Sequence, residues 1–167
     1  MGNIAMPIAG SLQFTDFIMQ TVTGDLDDET ARRRSRGTEG ASIAWVIGHL
    51  LDYRYEMMQL VGEAVESPFS HFADGATDGS DYPTIGHLIA SWSELSDRVV
   101  PLIAGTADGV FTSPMPGSGT AHGEKTILET MVFFMWHESY HMGQLGTLRA
   151  QFGLTPTATL AQQAGAA

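Results

Sequence analysis

The sequence predicts an all-α fold, a four-helix bundle with long connections between its helices. Three observations carry this reading. Apolar residues recur at helical spacing in four separate stretches. No run alternates apolar and polar with the period of two that a half-buried strand shows. The stretches are divided by segments rich in Gly, Pro and Asp, which interrupt helices. At 167 residues the chain is long enough to bury one core of its own. We take 1–167 as a single domain, with a core of about 11–152 and a tail at 153–167.

The first helix spans 11–23, with Leu12, Phe14, Phe17, Ile18 and Val22 at roughly helical spacing, and Gly24-Asp25 breaks it. A short helix over 27–34 follows, acidic at its start and basic at its end, as the helix dipole favours. The second long helix runs over 42–61, capped by Ser42, with an apolar stripe through Ile43, Val46, Ile47, Leu50, Met57 and Leu60. His49 lies beside that stripe, one turn after Trp45 and one turn before Tyr53. Residues 62–82 are a long connection, read either as a binding loop or as a plain linker. Within it, Asp74 to Gly79 superficially matches a calcium loop. Ala76 at position three and Ile85 at position twelve exclude that site.

Pro83 can occupy the first turn of the third helix, 83–103, whose core stripe is Leu88, Trp92, Leu95 and Val99. Pro101 should end or kink it. A second long connection spans 106–125; its Gly117-Ser118-Gly119 lacks the strand and third glycine of a nucleotide fingerprint. The fourth helix, 126–152, opens on Thr126-x-x-Glu129, the pattern of a capping box, and Gly153 and Pro156 stop it. The uncharged tail beyond is expected to add little to the core.

Composition excludes several functions. The formal charge of −11 opposes binding to nucleic-acid phosphates. Half of the Lys and Arg fall in one cluster, Arg32, Arg33, Arg34 and Arg36, read as a solvated helix end in preference to an anion site. There is no cysteine, so disulfides, thiolate metal sites and a cysteine nucleophile are all ruled out. No apolar run is long enough for a membrane span and no secretory leader is evident, so a cytoplasmic protein without membrane association is expected.

The chemistry concentrates in His137-Glu138-Ser139-Tyr140-His141-Met142-Gly143-Gln144. A helix turns about 100° per residue, so His137 and His141 share one face and can hold one metal ion; as a bare pair they could equally be core histidines. Gln144 lies one turn further along the same stripe. His137 to His141 also spell H-E-x-x-H, the zinc-protease pattern in which Glu138 would be general base. After His141 the chain contains no His, Asp, Glu or Cys, so a third ligand must lie upstream, which removes most of the support for a protease. His49 is the leading candidate for that ligand and His87, in Ile85-Gly86-His87-Leu88, its rival; His71 and His122 are not expected to be ligands. A bundle core would bring the histidine stripes of two helices together, and three neutral imidazoles leave positions on a divalent ion open.

Two segments resemble the DinB/YfiT-like superfamily. Ser42-Ile43-Ala44-Trp45-Val46-Ile47-Gly48-His49-Leu50 is similar to its S-x-x-W-x-x-x-H-L segment, and His137 to Gln144 to its H-x-x-x-H-x-G-Q segment. The similarity in helix order extends from about 11 to 152. The resemblance implies a four-helix bundle of the DinB/YfiT-like type, frequently dimeric, with zinc, nickel or another divalent ion on His49, His137 and His141. It also implies thiol-dependent S-transferase or isomerase chemistry in some members. The expectation is therefore a metal-dependent transferase acting on a small electrophilic substrate with a low-molecular-weight thiol. Glu138 is a candidate for proton transfer and Gln144 for orienting a ligand. Two alternatives stand beside it, a non-catalytic metal-binding or stress protein and a metal-dependent hydrolase.

Overall fold

The computed structural model describes residues 3–116 and 125–165, so Gly117-Ser118-Gly119 and His122 lie outside the described residues. Among the described residues there are seven α-helices and no strand. Four are long: α1 (Ala5–Thr23), α3 (Ile43–Leu60), α4 (Ile85–Gly105) and α6 (Ile127–Gln151). The short ones are α2 (Asp28–Arg32), α5 (Asp108–Phe111) and α7 (Thr157–Gly165), with one 3-10 turn at Ser70–Phe72. None is long and apolar enough to cross a membrane.

Local chemistry explains the boundaries. Ser42 and Thr126 cap α3 and α6 by accepting from the backbone N–H groups of Trp45 and Glu129. At Thr126 the box is closed, because its own N–H donates to Glu129 Oε2 at 2.7 Å. Gly153, at φ +76°, takes the left-handed conformation that ends α6. Three boundaries differ from expectation. Helix α1 starts at Ala5, six residues early, with Pro7 in a first turn that has no need of its missing N–H. Pro83 precedes the Thr84 cap of α4, and Pro101 sits inside that helix, which continues to Gly105. The tail is folded: α7 packs on α1, and Leu154 lies against the core.

The four long helices form a square in which α1 and α3 each pack against both α4 and α6. Leu12, Met19, Ile47, Leu50, Trp92, Val99, Met131 and Leu145 fill the middle and are almost wholly buried. The connections run across the bundle, from α1 to the diagonal α3 and from α4 to the diagonal α6. Adjacent placement of α3 and α6 is what the site needs, since the histidines lie on those two helices.

The arginine cluster is not merely a solvated helix end. Arg32 donates to the carbonyls of Gly79, Tyr82 and Pro83, and Arg34 to those of Gly40 and Ala76. Arg33 lies over the Phe152 ring, and only Arg36 makes an exposed surface pair, with Glu39. The bonds of Arg32 and the Arg34 bond to Ala76 tie the 61–84 connection down, and its Phe69, Phe72 and Tyr82 are buried. Arg149, almost wholly buried near the end of α6, binds Asp25 through both carboxylate oxygens and the Val22 and Thr155 carbonyls, joining three helix ends.

Candidate metal centre

His49 projects from α3 and His137 and His141 from successive turns of α6. Their Nε2 atoms converge, with His137 Nε2 at 3.3 Å from His49 Nε2 and 3.0 Å from His141 Nε2. Among the described residues this is the one group of three metal-binding side chains whose donor atoms all lie within 4.8 Å of one another. His49 and His141 are buried and His137 is half-buried. His87 and His71 are exposed, and neither joins the group.

The outer nitrogens explain the convergence. His49 Nδ1 faces the Phe72 carbonyl oxygen at 3.0 Å, and His141 Nδ1 faces Gln144 Oε1 at 2.7 Å. Both partners are acceptors, so each proton sits on Nδ1 and each Nε2 lone pair points inward. His137 Nδ1 is buried without a hydrogen-bond partner among the described residues. Burial, together with the neighbouring imidazoles His141 and His49, lowers His137 to about 4. Burial also holds His141 at about 4, with Gln144 opposing it and His49 adding to it. His49 is lowered by burial against the opposing pull of the Phe72 carbonyl and Asp52. Neutral imidazoles whose Nε2 atoms converge, two of them with the lone pair turned inward, suit a cation. An all-nitrogen donor set without thiolate or carboxylate fits zinc, nickel or a related divalent ion.

Aromatic rings fix the imidazoles. Trp45 stacks on His49 at 4.6 Å, Tyr53 lies 4.2 Å from His137, and Tyr140 meets His141 edge-on at 5.0 Å. Phe133, exposed on the outer face of α6, stacks on His137 at 5.7 Å. Gly48 has a specific purpose here. A Cβ at that position would fall within the Phe72 ring, so only glycine lets the 3-10 turn bring its carbonyl to His49.

Glu138 does not belong to this centre. One residue on from His137, it points into the core, where it is 2 % exposed. Its Oε1 accepts from Arg54 Nη2 at 2.6 Å and from the Thr15 hydroxyl, and its Oε2 from Arg54 Nε at 3.2 Å. Arg54, wholly buried, also reaches Asp16 Oδ1 at 2.6 Å and Ser96 Oγ at 2.5 Å, and its guanidinium lies 3.7 Å from the Trp92 ring centre. The glutamate of H-E-x-x-H is therefore an ion-pair partner inside the bundle and does not join the three histidines. The sequence carried one signal of this: Arg54 is a lone cation on the apolar α3 stripe, between Leu51 and Met57. Asp16 and Ser96 carried none, and the Phe72 contribution is a main-chain atom.

A family model described as the DinB superfamily matches residues 18–145, a span that contains all three histidines. Among solved structures the chain is similar to YfiT from Bacillus subtilis, described as "a probable metal-dependent hydrolase with an unusual four-helix bundle topology". The TM-score is 0.65 at 14% identity, over 90% of this chain and 89% of that one. At that identity the likeness concerns the fold. No curated protein matches by sequence.

Proposed function

The chain belongs to the DinB superfamily, and from that premise we propose that it is a metal-dependent enzyme whose centre is His49, His137 and His141. The observation that carries this is the inward convergence of the Nε2 atoms of three neutral imidazoles from two adjacent helices. A divalent ion held there, zinc or nickel, would supply a positive charge that lowers the pKa of a small-molecule thiol or a water. The protein's own residues orient and shield. The Phe72 carbonyl and Gln144 hold protons at Nδ1 of His49 and His141. Trp45, Tyr53 and Phe133 keep solvent from the imidazole faces.

A thiol is the leading co-substrate, for two reasons. The chain has no cysteine, so a thiolate must come from outside. Three neutral imidazoles leave the full charge of the ion to attract an anionic, soft donor. The reaction would be S-transfer to a small electrophile. Hydrolysis is the second reading, favoured by the description that YfiT carries. Cobalt(II) substitution tests the first. Adding bacillithiol, mycothiol or glutathione should produce a sulfur-to-cobalt charge-transfer band, absent in His141→Ala. No band with any of the three, in protein that binds cobalt, removes the transferase reading. Ester cleavage without thiol would then support the hydrolase, and neither activity a metal-binding protein without catalysis.

A further inference from the structure

We infer that the groove along the carboxyl-terminal half of α3, from Asp52 to Leu60, is a recognition site for an organic cation, an ammonium group on an apolar body. Its polar part is a cavity of about 460 Å³ lined by Asp52, Glu56 and Gln59 of α3 and by Glu66, Ser67 and Ser70 of the following connection. Asp52 is the decisive residue. It is 4 % exposed, lines this cavity, and makes no hydrogen bond or ion pair with any described residue. The other buried charged side chains, Arg54, Glu138 and Arg149, are all paired. The Asp52 oxygens open onto the cavity and are not sealed in the core, so a cation there would meet an unpaired carboxylate whose body is held by the protein. Glu56, half-buried beside it, is raised by burial and by the Asp52 charge, a second sign of negative charge crowded in one place. No Lys or Arg is among the described residues that line the cavity.

Past Glu56 and Gln59 the groove becomes apolar. A second cavity of about 340 Å³ shares those two residues and is otherwise lined by Leu60, Met115, Pro116 and Phe134. Phe134 lies 5.2 Å from Tyr53, which in turn lies 4.2 Å from His137, so ring contacts link the apolar cavity to the imidazoles. The acidic groups do not form a second metal site, since the histidines are the one metal-competent group among the described residues. The spacing sets the size of the ligand. Asp52 and Glu56 follow His49 by three and seven residues, or about 5–10 Å along the helix. An amine whose nitrogen sits on these carboxylates therefore lies about one to two helical turns from His49. That the occupant is the substrate rests on the proposed function; that the groove binds an organic cation does not.

The test uses 2-phenylethylamine and its neutral counterpart 2-phenylethanol, titrated into the full chain at physiological salt and followed by ligand-detected NMR, with and without added zinc. The amine should bind about tenfold more tightly than the alcohol, the scale of a charge-assisted contact. Asp52→Asn and Glu56→Gln should each remove most of that preference, and Glu29→Gln, an exposed carboxylate on α2, none of it. Equal binding of amine and alcohol would overturn the inference. So would equal loss in Glu29→Gln, which signals diffuse charge, or one-to-one displacement of the amine by zinc or calcium. If Asp52→Asn fails to fold, Glu56→Gln decides alone. A protein that binds no zinc but still prefers the amine through Asp52 and Glu56 would sink the metal reading and leave this one standing.

Discussion

Replacing Glu138 by Gln separates the two roles that H-E-x-x-H suggests for this residue. A general base would leave the fold intact and abolish activity. The structure instead makes Glu138 the carboxylate of a buried ion pair, with 2.6 Å and 3.2 Å contacts to Arg54. Gln keeps the shape but loses the charge, and its amide N–H₂ would face either the guanidinium or the Thr15 hydroxyl. Breaking a buried pair from one side costs roughly 3–5 kcal/mol. Arg54 retains Asp16 and Ser96, so the low end applies, about 3 kcal/mol. For a domain of this size each kcal/mol moves the melting temperature by about 2–4 °C, giving a fall of about 6–12 °C. Thermal melts measure that fall, and competition with a chelator measures zinc affinity, which should stay within about threefold of wild type because Glu138 makes no contact with the imidazoles. A variant that melts like wild type yet loses zinc or activity would refute this assignment and restore Glu138 to the centre.

Four further outcomes are expected. His49→Ala, His137→Ala and His141→Ala should each weaken zinc binding strongly, whereas the exposed His71→Ala and His87→Ala should not; isothermal titration of the five variants decides. Gln144→Leu, which removes the acceptor for His141 Nδ1, should lower metal affinity by about 10–100-fold with little change in melting temperature. Gly48→Ala forces a methyl into the Phe72 ring, so it should cost about 1–3 kcal/mol and weaken metal binding through the displaced carbonyl. Metal-free protein should lose stability as pH falls from about 6.5 to about 4, because the unfolded chain protonates His137 and His141 near 6.5 and the folded chain only near 4. A melting temperature that stays flat over that window would contradict the neutral cluster.

Much of the fold was legible because its signals are local. Ser42 and Thr126 announce helix starts by side-chain capping, and Gly153 a helix end, without reference to the rest of the chain. The pairing of His49 with His137 and His141 was legible for a different reason. Helical periodicity puts histidines beside apolar stripes that a bundle brings together, which leaves His49 and His87 as rivals, and the resemblance of residues 42–50 to the family segment favours His49. What escaped depends on contacts distant in sequence or on main-chain atoms. Arg149 meets Asp25 across 124 positions, and Arg32 spends its charge on carbonyls of a connection 47 to 51 positions away. Neither leaves a pattern in a window of neighbouring residues. The uncharged tail adds no buried residue to the core among the described residues, as expected, yet it forms a helix that docks on α1, which its composition does not announce.

The bond from His49 to the Phe72 carbonyl makes the 61–84 connection part of the metal site without lending it a side chain. Substitution at position 72 can move that acceptor but never delete it, so a scan of ligand side chains would miss its contribution. The dependence also runs in reverse. If an ordered connection holds His49 ready for a metal, binding the metal must favour the ordered connection by the same free energy. Filling the site should slow proteolytic cleavage between α3 and α4, well outside the ring of imidazoles. Resistance to a protease would then report on a metal that the cut segment never touches with a side chain.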